Sequence, residues 1–144
     1  MAKIRRFKEA DAGAVARLSN RNAEFFQFPN VTPEFLKNFT DHPKFQMFVL
    51  EDEGIIGFCG VNFQTRDAEI GPICVEKGKR RLGLGVMMVK EVMRFLRPKA
   101  ASRVFIKVKT SNIGGQKFFE KLGFEVSKTD LCSGEPALVM VKEL

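Results

Sequence analysis

A mixed α/β fold in a single domain is predicted from three observations. Apolar runs with strand character alternate with amphipathic stretches in the order strand, helix, helix, strands, helix, strand, helix and final strands. The 144 residues are 44% hydrophobic, enough for a proper core without disulfide staples, and no linker, repeat or low-complexity tract divides them, so residues 1–144 read as one domain. A glycine-punctuated basic turn joins the short apolar run Ile70 to Val75 to the strongly apolar stretch that begins at Leu84.

Lys3 to Phe7 alternates as a first strand, and Asp11 is placed to cap a helix running to about Asn22. Thr32-Pro33-Glu34 carries a second helix start, a threonine cap with proline in the first turn, and the helix ends near Thr40. Phe45 to Leu50 and Ile55 to Phe63 form a hairpin across Glu51-Asp52-Glu53-Gly54. Ala68 to Val75 is the next strand. Pro72 has no N–H for a ladder and Gly71 weakens it, so a bulge or a gap in pairing is expected there. Leu84 to Arg97 is apolar on most sides, with Lys90, Glu91, Arg94 and Arg97 as its polar edge, and it should pack across the sheet with Met87, Met88 and Met93 in the core. Pro98 ends it. Arg103 to Lys109 is the strand after it.

Several function classes are disfavoured by composition. No long apolar run suggests a signal peptide or a membrane span, which makes the cytoplasm the expected compartment and excludes a membrane partner. Cys59, Cys74 and Cys132 are odd in number and lack metal-ligand spacing, and His42 is the single histidine, so no structural metal is expected. The net charge of +7 is uneven. Residues 76–109 hold eleven Lys or Arg against two acids, a net of +9, and the rest of the chain carries −2. Nucleic-acid contact is a minority reading of that excess, since no base-reading motif accompanies it.

The segment Glu76-Lys77-Gly78-Lys79-Arg80-Arg81-Leu82-Gly83-Leu84-Gly85 concentrates the positive charge where a strand feeds a helix. The first turn of such a helix has free N–H groups that, with the helix dipole, favour an anion. Gly83 and Gly85 remove Cβ atoms from the approach, and the surrounding Lys and Arg supply donors for a diphosphate. The segment lacks the Gly-Lys-Ser/Thr ending of a nucleoside triphosphatase loop. Met88 stands where a dinucleotide fingerprint needs glycine or alanine.

Arg80-x-x-Gly83-x-Gly85 between a strand and a long apolar helix resembles the acetyl-CoA signature of the GNAT superfamily (Gcn5-related N-acetyltransferases). Asn112-Ile-Gly-Gly115-Gln-Lys-Phe118-Phe119-Glu-Lys121-Leu-Gly123-Phe124 is similar to that superfamily's second block, and Ile4 to Asp11 is similar to its opening strand and cap. The resemblance implies a mostly antiparallel twisted sheet with a splayed parallel pair of strands and about four flanking helices. It also implies acetyl-CoA as cofactor, held by Ile73, Cys74, Val75, Lys79, Arg80, Arg81, Leu82, Gly83, Leu84, Gly85, Val86, Asn112, Phe118 and Phe119. The pantetheine arm would pair with backbone near Ile73 to Val75 in the opening between the strands. Asn112 has a second reading as a helix cap.

Acetyl transfer to an amine needs the amine deprotonated and a proton returned to the leaving thiolate. A tyrosine often fills the second role in this family; Phe119 stands at that position, and the chain's fifteen phenylalanines are accompanied by no tyrosine. Water, or more weakly Ser111, is left as the proton source. For the base, Glu69 is similar in position to the catalytic glutamate of the histone-acetyltransferase branch, which also has phenylalanine in the second block. On an apolar strand its pKa would rise by desolvation. The competing reading is a strand-edge carboxylate paired with Arg66 or Lys107. Other branches place a glutamate where Lys107 stands here.

The acceptor site implied by the family lies between the first two helices and the late strands. Glu24, Asp130 and Glu135 could attract a cationic amine, while Phe25 and Phe28 line a slot or belong to the core. These residues leave a protein lysine, a peptide N-terminus and a small amine all open as acceptors, and a homodimer is open as well. The expected activity is acetyl-CoA-dependent N-acetylation of a primary amine by direct attack. The alternative is a CoA-binding regulatory protein with little transferase activity.

Overall fold

The computed structural model describes residues 1–22, 31–80 and 83–144. In chain order the elements are β1 (Lys3–Arg6), a short 3-10 turn (Glu9–Asp11), α1 (Ala12–Arg21), α2 (Pro33–Thr40), β2 (Phe45–Glu51), β3 (Ile55–Asn62) and β4 (Asp67–Val75). A second 3-10 turn (Lys77–Lys79) then leads to α3 (Leu84–Leu96), β5 (Arg103–Lys109), α4 (Ile113–Lys121), β6 (Glu125–Cys132) and β7 (Glu135–Glu143). The seven described strands form one sheet in the order β1-β2-β3-β4-β5-β7-β6. Every neighbouring pair is antiparallel except β4 and β5.

That parallel pair is short. Asp67, Ala68 and Glu69 pair with Arg103, Val104 and Phe105, and beyond Glu69 the strands separate. β4 continues to Val75 paired only with β3, and β5 continues to Lys109 paired only with β7. The sheet is thus two half-sheets joined at a fork. The irregularity expected at Gly71-Pro72 is present: the register of β3 against β4 shifts between Cys59 and Val61, leaving Gly60 opposite those two residues. A Cβ on Gly60 would stand 2.5 Å from the Phe45 ring and 2.9 Å from the Gly71 carbonyl oxygen, so only glycine fits the bulge.

Two clusters make the core. On one face, α3 lays Leu84, Met88, Val89, Val92 and Leu96 against Leu50, Val61, Ile70, Val104, Ile106 and Met140, which spans both half-sheets. Each of these fully buried side chains contributes roughly 1.5–3 kcal/mol, more than the propensity differences along the helix, so packing rather than local preference holds α3. Met87 was expected in this core but is 40% exposed, one position off the buried stripe. On the other face, Val15, Leu18 and Leu36 from α1 and α2 cover Met47, Val49, Phe58 and Cys74 of the first half-sheet only.

Local signals behave largely as the sequence suggests. The Thr32 side chain accepts from the Phe35 N–H at 3.1 Å, capping α2. β6 and β7 turn through Ser133 and Gly134, both at positive φ as a two-residue type I′ hairpin requires. Asp11 differs from expectation. Its carboxylate turns away from α1, accepts from the Lys8 N–H at 2.8 Å, and receives two hydrogen bonds from Arg5 at 2.8 Å each. Arg5 also reaches Glu51 at 3.2 Å, which ties β1, β2 and the entry to α1 together. Among the described residues no helix is long and apolar enough to cross a membrane.

The Arg5 guanidinium holds the Asp11 carboxyl below its usual 3.8 against the opposing effect of burial. A depressed carboxyl stabilises the fold fully above its unfolded-state pKa, and that stability is lost as pH falls through the lower folded value. Asp11→Ala should therefore destabilise the protein by about 3 kcal/mol at pH 7, with the deficit against wild type shrinking below about pH 4 in paired urea titrations.

Candidate active site

The residues singled out by sequence gather around the fork. Ile73, Cys74 and Val75 close β4, the 3-10 turn carries Lys79, Arg80 follows it, and Gly83 stands at the N-terminus of α3. Gly83 has φ +76, a conformation that costs an L-residue roughly 1–2 kcal/mol. The first intrahelical bond runs from the Met87 N–H to the Gly83 carbonyl at 3.1 Å, so the N–H groups of Leu84, Gly85 and Val86 have no acceptor within the helix. With Lys79 and Arg80 alongside, this donor set suits a diphosphate. Arg81 and Leu82 lie outside the described residues.

Side chains at several of these positions are committed elsewhere. Leu84 is in the core, and the Cys74 thiol is buried, which pushes its pKa up to about 11. Any contact of these two with a cofactor must be through backbone. Gly85 has a packing reason for lacking a side chain: a Cβ there would stand 3.0 Å from the Phe118 ring, so Gly85 lets α4 seat against the first turn of α3. Phe118 and Phe119 meet edge-on at 4.9 Å, and Phe119, at 4% exposure, is a core residue that also packs on Phe124. The Asn112 side-chain Oδ1 accepts from the Gly115 N–H at 2.9 Å, so this side chain caps α4.

A residue unnoticed in the sequence organises the cradle. Asn22, buried at the end of α1, donates to the Leu18 carbonyl at 2.9 Å and accepts from Arg80 Nη2 at 2.9 Å, while Arg80 Nε donates to the Val75 carbonyl at 2.9 Å. Arg21 adds an ion pair to Glu76 at 2.6 Å. The end of the splayed strand is thereby pinned to α1. An asparagine at a helix terminus has an ordinary capping explanation, and a contact across 58 residues leaves no spacing signal.

Glu69 occupies the vertex, the last residue of β4 to pair with β5. Its neighbours Ala68 and Ile70 face the α3 core, so by strand alternation Glu69 faces the opposite side. The carboxylate is half-buried and, among the described residues, makes no hydrogen bond or ion pair. Burial raises its pKa above the usual 4.5, and the positive charge of Lys107 opposes that rise. Neither of the expected partners engages it: Lys107 bonds Asp130 at 3.4 Å instead. Glu135 is likewise paired, with Lys109 at 2.6 Å, so both late carboxylates expected to draw a cationic amine are already neutralised. Glu24, Phe25 and Phe28 lie outside the described residues. Ser111 is exposed beside the Asn112 cap.

Residues 14–124 match the model of the Acetyltransferase (GNAT) family. The chain belongs to this family. It is an acetyl-CoA-dependent N-acetyltransferase, with the fold and cofactor that its two sequence blocks imply. It is 28% identical over 125 residues to a Bacillus subtilis protein provisionally named a ribosomal protein bS18-alanine N-acetyltransferase, covering 82% of each chain. Among solved structures it is similar to the PaiA N-acetyltransferase of Thermoplasma acidophilum in complex with coenzyme A (TM-score 0.87, 16% identity, 100% and 99% of the two chains). It is also similar to a ribosomal-protein-alanine N-acetyltransferase from Brucella melitensis (TM-score 0.86, 20% identity, 99% of each chain).

Two substitutions separate structural from cofactor roles. Gly83→Ala should raise the KM for acetyl-CoA about tenfold, because a strained αL residue at the cradle either displaces the free N–H groups or costs about 1 kcal/mol to keep them in place. Asn112→Ala should lower stability by about 1 kcal/mol while leaving acetyl-CoA affinity within twofold of wild type. A tenfold loss of affinity would instead assign Asn112 to the cofactor.

Proposed function

We propose that the enzyme acetylates the N-terminal α-amine of a protein by direct attack, with Glu69 as general base. The observation that carries this reading is the placement of Glu69: a half-buried carboxylate with no hydrogen-bonding partner among the described residues, at the vertex of the fork in the described sheet. A base poised in this way takes a proton readily because burial raises its affinity for one. The Bacillus subtilis relative's name, which specifies an alanine of a ribosomal protein, supports the acceptor class. A ribosomal acceptor would also put the enzyme's work in the cytoplasm.

Acceptor chemistry points the same way. A free α-amino group has a pKa of about 7.7–8.0, against about 10.4 for a lysine side chain. Near neutral pH an N-terminus is already partly deprotonated, and a carboxylate whose pKa burial has raised is placed to remove the rest. A lysine would have to give up a far more basic proton close to Lys107, whose charge restrains the Glu69 pKa.

Acetyl-CoA supplies an acyl group activated as a thioester. The free N–H groups at the start of α3 and the basic turn would hold its diphosphate, and the edge of β4 beyond Glu69 would take its pantetheine arm. Glu69 takes the ammonium proton, directly or through one water, and the freed lone pair forms the C–N bond as the C–S bond breaks. The attacking nitrogen gives up its second proton to solvent as the amide forms, and because Phe119 is buried and has no proton to give, the leaving thiolate takes one from solvent.

Glu69→Gln should lower kcat by about 10²–10⁴-fold and leave the Kd for coenzyme A nearly unchanged. In the wild type, kcat/KM should fall as pH drops through the Glu69 pKa, along a limb with its midpoint above 4.5. Lys107→Met removes the charge that restrains this pKa and should move that limb to higher pH. Rates of wild type and Glu69→Gln that coincide across pH would remove Glu69 from the mechanism. Coenzyme A binding without acetylation of any peptide N-terminus would favour a regulatory role.

A further inference from the structure

The basic residues between 76 and 109 outnumber what a diphosphate cradle uses, and the structure accounts for the surplus unevenly. Arg94 is paired with Glu91 and Arg103 with Asp67. Among the described residues Lys99 is not paired with an acid. It belongs to a cluster at the end of the sheet where β4 begins, opposite the cradle. Asp67 and Val75 are eight steps apart along the extended strand, so the two places are roughly 25 Å apart.

Three connections converge there: the one entering β2, the one between β3 and β4, and the one between α3 and β5. They enclose a cleft of about 380 Å³ whose walls include Lys44, Phe63, Arg66 and Lys99. The Lys44 and Lys99 ammonium groups lie 5.8 and 5.7 Å from the centre of the same Phe63 ring. Lys99 is also 4.8 Å from the centre of Phe95, and the Arg6 guanidinium lies 5.4 Å from it. Phe63 and Phe95 meet edge-on at 5.4 Å. Among the described residues, none of Arg6, Lys44, Arg66 and Lys99 forms an ion pair with an Asp or Glu.

Cation–π contacts of this kind hold the head groups near the rings instead of letting them spread into solvent. The Lys44 and Lys99 ammonium groups, held near one ring, repel one another, and an anion entering the cleft relieves that repulsion. A carboxylate brings one charge. A phosphate brings more charge and several acceptor oxygens, which suits two ammonium groups and an arginine fork arriving from different sides. The cations already cover faces of both rings, so stacking of nucleic-acid bases is not the mode of contact.

We propose that this cleft is a second anion site, separate from the acetyl-CoA cradle, that binds a phosphate group, either free or as part of an RNA backbone. Binding should depend steeply on salt and little on base sequence.

The test uses the full chain saturated with coenzyme A, so that the cradle is filled. Pyrophosphate and a ten-nucleotide oligouridylate are each titrated by calorimetry at two salt concentrations, against wild type and the Lys44→Gln/Lys99→Gln double variant. At least one probe should bind the wild type, and the double variant should bind it at least about tenfold more weakly. The KM for acetyl-CoA should not change. Tighter binding of the oligonucleotide identifies a strand as the source of the phosphate, and equal or tighter binding of pyrophosphate identifies a free one. Independently of any variant, the backbone amide resonances of Lys44, Gln64 and Lys99 should shift on titration of the wild type. The proposal is overturned if neither probe binds, if the double variant binds as well as wild type, or if the shifts fall elsewhere.

Discussion

Everything at the candidate active site depends on how briefly β4 and β5 stay together. A parallel pair that ran its full length would satisfy both strand edges and leave nothing between them. Here the pairing ends after three residues, and β4 runs on for six more with one edge unpaired. An unpaired edge is ordinarily a liability that invites another strand. In this fold it faces the opening made by the divergence of the two strands. The bulge at Gly60 helps to re-aim β4 just past the point where it leaves β5, since a bulge sharpens local twist.

The fork also decides what Glu69 experiences. One residue earlier along β4, Ala68 is fully buried, and one residue later Ile70 is nearly so. Glu69 alternates to the other face, where the sheet opens, and so is dry enough to hold its proton more tightly but open enough to exchange it. Lys107 acts in the opposite sense without contacting it, because Asp130 holds the ammonium. Burial raises the Glu69 pKa, and the positive charge of Lys107 opposes that rise.

Much of this was legible in the sequence because it rests on local chemistry. The cap at Thr32, the turn glycines, the apolar stripe of α3 and the break at Gly71-Pro72 are each read from residues within a few positions of one another. The two blocks around Gly83 and Phe118 were legible as a family resemblance, and their contact explains the spacing physically, since Gly85 is bare where the Phe118 ring presses. What stayed hidden depends on residues distant in sequence. Nothing near Asn22 announces that it receives Arg80, and nothing near Asp11 announces that Arg5 turns it from its cap. Met87 was misplaced because three methionines in an apolar run look alike until the helix phase assigns each a side. The surplus of basic residues was visible as a number, but its division into ion pairs and an aromatic-lined cluster required coordinates.

The two faces of the sheet are covered unequally, and this asymmetry links stability to access. On the α3 side one apolar cluster runs from Phe48 and Leu50 through Ile70 to Val104, Ile106 and Met140, crossing the fork without interruption. That continuous core fixes the angle between the half-sheets, because the strands themselves are not joined beyond Glu69. On the opposite side, α1 and α2 cover only the first half-sheet, and among the described residues β5, β7 and β6 contribute no side chain to that cluster. The second half-sheet instead presents Lys107, Lys109, Asp130 and Glu135, paired with one another at its surface. A rigid seam on one face and an open approach on the other meet at Glu69. The opening between the half-sheets is therefore held by packing on the α3 face while the face that carries Glu69 stays uncovered over the second half-sheet.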